Sequence, residues 1–423
     1  MKNFVIKGNL CYSENADSVR LAPNSYLVIE NGLCAGIFGQ LPERYQALPL
    51  EDFGDKLIIP GMTDLHVHAP QFSFRGLGMD MELLDWLDTY TFPEESKYQD
   101  LEYADRAYES FAKHLHRSST TRAAVFGTIH VPATELLMEK MEKSGLVSYI
   151  GKVNMNRNSP DYLRETSVAS ALENTEKWIC DTKDRFTNTY PIITPRFIPS
   201  CTDELIHGLR KLVEKYDVPV QSHLSENYRE IALVQQLCPD SKFYGDAYDR
   251  FGLFGGDHKC IMAHCVHSKA EEIELMRKNG VYIAHSPLSN TNLASGVAPI
   301  SKYLKEGLNV GLASDVAGGD TENLFRSIAD ALRASKLRWR LLDQEVAPLT
   351  VDQAFYLSTL GGGGFFGKVG SFENGYEFDA IVLDDSALDH PQELPLRSRF
   401  ERALYLSDDR QIFAKYVRAN RLF

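Results

Sequence analysis

The chain contains no Cys-x-x-Cys pair. Its seven cysteines (Cys11, Cys34, Cys180, Cys201, Cys238, Cys260 and Cys265) are an odd number scattered over 423 residues. That spacing argues against a disulfide framework, and a reducing compartment fits it better. No apolar run approaches the roughly 20 residues that cross a bilayer. The N-terminal MKNFVIKGNLCYSENADSVRL lacks the apolar centre of a signal peptide. We therefore expect a cytoplasmic protein with no membrane partner. An excess of positive charge is missing as well: 45 Lys and Arg stand against 58 Asp and Glu, a formal net charge of −13. Such a field repels nucleic-acid phosphates, so no nucleic-acid partner is expected, and a neutral or cationic small molecule suits it better. Low-complexity segments are absent, and 29 Gly and 18 Pro are ordinary at this length. With 43% hydrophobic and 24% charged residues, the composition is that of a globular protein rather than a disordered one. A chain this long buries a large core without staples.

What is present divides into three stretches. Residues 1–60 read as short strands, in FVIKGNLCYS, SYLVIENGLCAGIFG and DKLIIPG, with ENG as a hairpin signal. From residue 61 to 364, short apolar strands alternate with amphipathic helical stretches such as DELIHGLRKLVEKYD and AEEIELMRKNG. Eight strand candidates fall in this stretch, the pattern of βαβ units and of a TIM-like (β/α)8 barrel. From 365 to 423 the β pattern returns, in KVGSFENGYEFDAIVLDD, RALYLSDDR and QIFAKYVRANRLF. The expected fold class is α/β, with a barrel domain and a small β-sandwich built from the two terminal segments. Gly361–Gly364 reads as a helix-to-loop break, since a phosphate cradle needs a Lys-Ser/Thr after it.

The strongest chemical signal is His66-Val67-His68 at the end of the first barrel strand. Residues i and i+2 of a strand point the same way, so two imidazoles would project from the strand end where barrel active sites lie. The bland reading is a pair of polar residues at a strand–loop junction. His223, His264 and Asp315 also fall at strand ends, in VQSHLSEN, AHCVH and ASDVAGG. Packing alone explains that set poorly, because a buried Asp needs a cation or hydrogen bonds. Imidazole plus carboxylate suits zinc first and Fe(II) second. One ion is expected, because YPIITPRFIPSC lacks the lysine that a binuclear site would carboxylate. Glu226, three residues after His223, reads either as a carboxylate at a helix N-terminus or as a proton shuttle. Beside a metal ligand, the shuttle is preferred.

PGMTDLHVHAPQFSFRG, LLDWLDTYTFPEE, TPRFIPSC, VQSHLSEN, AHSPLSNTNLASG and ASDVAGG together resemble the amidohydrolase superfamily in its mononuclear deaminase branch. Along nearly the whole chain the resemblance is to the guanine deaminases. It implies one zinc ion per subunit (Fe(II) as alternative) on His66, His68, His223 and Asp315, with Glu226, His264 and Asp315 handling protons. It further implies a purine site at Gln71, Arg196 and Phe197, bordered by His68, His223 and Asp315, and a homodimer. The implied reaction is hydrolysis of guanine to xanthine and ammonia. Taken alone, Arg196 could form a salt bridge at the barrel mouth, and Phe197 could be ordinary core. His267, His285 and Cys201 receive no role. Two other readings are weighed: a deaminase of another aminated heterocycle (pterin, triazine, cytosine or adenosine derivative), and a non-catalytic scaffold, which would be expected to have lost ligands.

Overall fold

The computed structural model describes residues 2–423. The terminal segments meet, as their β pattern suggests, in one seven-stranded sheet. Its strands run in the order Asn420–Arg421, Ile412–Val417, Ala380–Leu383, Leu50–Pro60, Phe4–Asn15, Ser18–Glu30, Leu33–Phe38. The two halves join where Leu50–Pro60 pairs antiparallel with Ala380–Leu383, Ile59 opposite Ile381. Asn31 and Gly32 both take positive φ, 54° and 83°, and make the tight hairpin that ENG predicts. Alternation decides which side each residue serves. Ile58, Ala380 and Val382 join Ile6, Leu27 and Tyr416 in a core private to the sheet, while Leu57, Ile59, Ile381 and Leu383 face the main core. The terminal segments form one hydrogen-bonded sheet, curved enough to bring the Phe4 and Tyr416 rings, three strands apart, to 6.1 Å. Register shifts at Gly8/Leu10, Ser13/Asn15 and Val28/Ile29 are bulges, which bend a sheet.

RALYLSDDR corrects the strand reading. Leu396–Leu406 is a helix that buries Phe400, Ala403 and Leu404, a spacing of three to four rather than two.

Between the terminal segments lie eight parallel strand positions. Met62–His68, Thr120–Phe126, Val147–Gly151 and Thr189–Pro191 form one arc; Val220–Leu224, Cys260–His264, Tyr282–His285 and Asn309–Leu312 form the other. Ile193 pairs with Val220 at one seam. At the other, the Asp315 N–H donates to His66 O at 2.9 Å and the His68 N–H donates to Val316 O at 3.1 Å. The first two strands are buried at every residue, as parallel strands covered on both faces must be. Small inward residues, among them Ala124, Ala263, Ala284 and Ala313, fill the space between the arcs with Leu65, Ile192 and Ile261. Helices Leu101–Arg117, Asp203–Tyr216 and Ala270–Asn279 cover the outside and begin or end at capping residues: Asp100 and Thr202 accept N-terminal N–H groups, and Gly280 ends the third with φ 66°.

The glycine run is helical through Gly363, and the turn starts only at Gly364. A Cβ on Gly361 would lie 2.6 Å from Val310 O, and one on Gly311 would lie 2.6 Å from Gly362 Cα. Those contacts are too close for any side chain, so the glycines let this helix press against the eighth strand.

Candidate active site

The ends of the first, fifth, sixth and eighth strands converge. His66 and His68 project together, with their Nε2 atoms 3.1 Å apart, and His223 Nε2 lies 3.3 Å from His68 Nε2. Asp315 Oδ1 stands 3.1 Å from His66 Nε2 and 3.5 Å from His68 Nε2. His264 Nε2 completes the ring, 3.7 Å from Asp315 Oδ2. His264 and Asp315 hold positive φ, 73° and 48°, which non-glycine residues adopt rarely and mostly where the surrounding structure imposes it.

The tautomers follow from the partners. His223 Nδ1–H donates to the Arg196 carbonyl at 2.6 Å, and His264 Nδ1–H to Asn290 Oδ1 at 2.9 Å. The His223 Nε2 lone pair therefore faces the centre, while at His264 the Glu226 and Asp315 carboxylates outweigh burial and raise the imidazole above its usual range. Burial holds His66, His68 and His223 below the usual imidazole range, so they are neutral and fit to ligate. The His66, His264 and His68 rings outweigh burial at Asp315 and hold its carboxyl far below the usual range. The Nε2 atoms of His66, His68 and His223 crowd together at 3.1–3.3 Å, a spacing that one cation held by their lone pairs would also produce. A tetrahedral zinc site with ligands at 2.0–2.1 Å has ligand atoms about 3.3 Å apart. The donor set and its spacing fit one such ion.

Beneath the ligands, Asp64 is fully buried. Its carboxylate accepts from the His66 and Ser314 N–H groups at 3.2 and 3.0 Å and from the Ser314 hydroxyl. It fixes the backbone of His66 itself and of Ser314, the residue before Asp315. Burial pushes its carboxyl up to about 7 despite those bonds.

A cavity opens above the cluster. It is lined by His68, Gln71, Arg196, Phe197, His223, Glu226, His264 and Asp315, together with Leu83, Trp86, Leu87 and Leu293. Every residue given a role in the sequence therefore meets at one place, with His66 just beneath the lining. Glu226 sits in the loop one residue before the N-cap Asn227 of helix Tyr228–Leu237, so it is not on the helix itself. It accepts from Ser295 Oγ at 3.1 Å and lies 3.4 Å from His264 Nε2. Burial, aided by Glu230 and Asp315 and opposed by His264, pushes its carboxyl up to about 7.

The salt-bridge reading of Arg196 also holds: Nη1 pairs with Glu95 Oε2 at 2.7 Å. Glu95, Trp86 and Asp64 carried no assignment in the sequence, although LLDWLDTYTFPEE and TDLHVH contain them. A carboxylate in TFPEE looks like a helix-start acid until its burial is seen. The unassigned residues lie outside the cavity lining. His267 Nε2 bonds the Ser295 carbonyl and its ring stacks on Tyr228. His285 is buried and held down to about 3 by desolvation. Cys201 donates to Asn154 O, and burial pushes its thiol up to about 12, which suits packing rather than nucleophilic attack.

Parallel strands carrying a His/His/His/Asp cluster at their C-terminal ends define a class of metal-dependent hydrolases. Residues 57–411 match the model of the amidohydrolase family, and the chain belongs to that family. Within it, the chain is 36% identical to guanine deaminase of Dictyostelium discoideum, covering 99% of this chain and 98% of that one. It is 34% identical to guanine deaminase of Escherichia coli over 96% and 92% of the two chains. The crystal structure of guanine deaminase from C. acetobutylicum with bound guanine in the active site superposes with a TM-score of 0.96, at 48% identity and full coverage of both chains. Among the described residues no helix is long and apolar enough to cross a membrane.

Proposed function

We propose that the two arcs form one (β/α)8 barrel over residues 61–364, that 1–60 and 365–423 make an accessory β domain, and that the protein hydrolyses guanine to xanthine and ammonia. The observation that carries this is the placing of Gln71, Arg196 and Phe197 in one cavity with the His/Asp cluster, in a chain aligned end to end with guanine deaminases. His66, His68, His223 and Asp315 would hold a single ion, zinc before Fe(II). Such an ion supplies Lewis acidity and lowers the pKa of water to about 7.

The chain's own groups do the rest. Arg196, which can only donate, reads the purine carbonyl. Phe197 offers its face to the flat ring. Gln71 presents a donor and an acceptor to the pyrimidine edge. Asp315 takes a proton from the attacking water, and His264, 3.7 Å away, assists. Glu226, raised towards neutrality, carries a proton to the ring nitrogen beside the attacked carbon and so prevents charge from building on the ring. Asp315 passes its proton to the exocyclic amine, the bond from that carbon to the amine breaks and ammonia leaves, and the proton of the added hydroxyl returns to Glu226 as the new carbonyl forms. The reaction is that of a hydrolase acting on C–N bonds of cyclic amidines. The family resemblance supports a homodimer in the cytoplasm, and exposed Leu337, Leu341 and Leu342 at one helix end offer apolar surface for pairing.

The test is to incubate the purified, metal-analysed protein with guanine and follow both its ultraviolet band and ammonia release, beside a panel of aminated pterins, triazines, cytosine and adenosine. Guanine turnover is expected. Ammonia from another amine and none from guanine would overturn the reading.

A further inference from the structure

We propose that Glu95 is a positioning residue that sets the preference for a purine carbonyl by holding Gln71 and Arg196 as one unit. This rests on the guanine reading above.

Glu95 is fully buried, on the short helix Phe92–Ser96. Its two oxygens are divided. Oε1 accepts from Gln71 Nε2 at 3.0 Å, and Oε2 accepts from Arg196 Nη1 at 2.7 Å. Gln71 follows the first parallel strand and Arg196 the fourth, so Glu95 spans two loops that no backbone hydrogen-bond ladder joins at that point. The far end of Gln71 is fixed as well: its Oε1 accepts from the Ala317 N–H at 3.2 Å. A carboxylate can only accept and a backbone N–H can only donate, so the amide of Gln71 has one permitted orientation. The same short helix places the Phe92 ring 5.4 Å from the Arg196 guanidinium. Neighbouring Glu94 serves the rim instead, bonding Ser73, Lys97 and Tyr103.

A structural role alone would not require this arrangement, since a buried ion pair stabilises little against apolar residues of the same volume. What the pair provides is orientation: two reading side chains held in place before the substrate arrives, so that binding orders fewer groups. Glu95→Gln keeps the shape and replaces one acceptor by a donor. That donor must face either Gln71 Nε2 or Arg196 Nη1, so one of the two loses its partner or turns.

The experiment compares guanine with 2-aminopurine, which keeps the amine and lacks the carbonyl, used as a competitive inhibitor. In holoenzyme Glu95→Gln, KM for guanine is expected to rise about 10–100-fold, kcat to fall less than about fivefold, and Ki for 2-aminopurine to change less than about threefold. Metal content should match wild type. If the ratio of Ki to KM stays at the wild-type value, Glu95 has no part in carbonyl preference, whatever happens to overall rate. Should Glu95→Gln fail to fold, Glu95→Asp keeps the charge but is too short to reach both partners, and the same ratio is read on it, with compression expected and an unchanged ratio overturning the proposal. Wild type is the separate control: no preference for guanine there sinks the substrate reading, whereas normal wild-type preference with an unchanged variant ratio sinks only the role of Glu95.

Discussion

His66, His68, His223, His264 and Asp315 reach the floor of the cavity from the ends of four parallel strands, each held by a neighbouring ladder. Leu83, Trp86 and Leu87 reach its roof from a short helical segment interrupted by a π turn at Leu87–Thr91. The floor is tied by buried bonds: Asp64 to His66 and Ser314, Arg196 O to His223, Asn290 to His264. The roof is tied at its edge mostly by exposed groups, with Arg229 Nη1 2.9 Å from Glu82 and 3.1 Å from Asp85, joined by the buried Asn227, whose Nδ2 lies 3.3 Å from Glu82. Ligation and proton transfer depend on tenths of an ångström and need the rigid part. Admission of substrate needs a part that opens locally at low cost.

The sharpest break in that contrast comes from the floor. His66→Ala should deplete the metal, read by elemental analysis, and take guanine turnover to background. Glu226→Gln should separate ligation from proton transfer: metal retained, turnover down about 10²–10⁴-fold. Near-normal turnover would remove Glu226 from the mechanism. In the roof, Trp86→Ala should cost stability by about 3–5 kcal/mol and raise KM while leaving the metal in place, seen by denaturant unfolding and steady-state kinetics.

The floor should also show its electrostatic cost in metal-stripped protein. Glu226 has a carboxyl raised by burial to about 7 from the 4.5 of a free glutamate. Its neutral form therefore favours the folded state fully below 4.5, and that contribution is lost as pH rises through 7. Denaturant unfolding should show wild type losing stability relative to Glu226→Gln across that window, by on the order of 1 kcal/mol per pH unit; parallel curves would mean that the carboxyl does not titrate there. The smallest effect belongs to the roof edge. Arg229→Ala should leave the denaturant-unfolding midpoint nearly unchanged, and high salt should shrink even that small difference.

The floor was legible in the sequence because its signal is local: a polar residue closing an apolar strand is conspicuous, and five of them at matched strand ends point to one place. The wall was half legible. Gln71, Arg196 and Phe197 came from the family resemblance, while Glu95 gave no local sign, since burial of a carboxylate is a tertiary fact. Its ion pair also changes how Arg196 should be probed. Arg196→Ala would leave Glu95 buried without its cation, so lost stability accompanies lost guanine binding, and Glu95→Gln is the cleaner substitution. The clear miss elsewhere has a simple cause: RALYLS places Tyr between apolar leucines, which can suit a strand, but its period is helical. The glycine run does hold the helix-to-turn break, and close packing on the eighth strand, which only the structure shows, is why it is glycine.

The pairing of Leu50–Pro60 with Ala380–Leu383 also bears on how this protein is made. The strand that leads directly into His66 and the partner along one of its edges are separated by all eight parallel strands. Throughout synthesis of that intervening chain the apolar edge stays bare, the kind of surface on which nascent chains stick to one another.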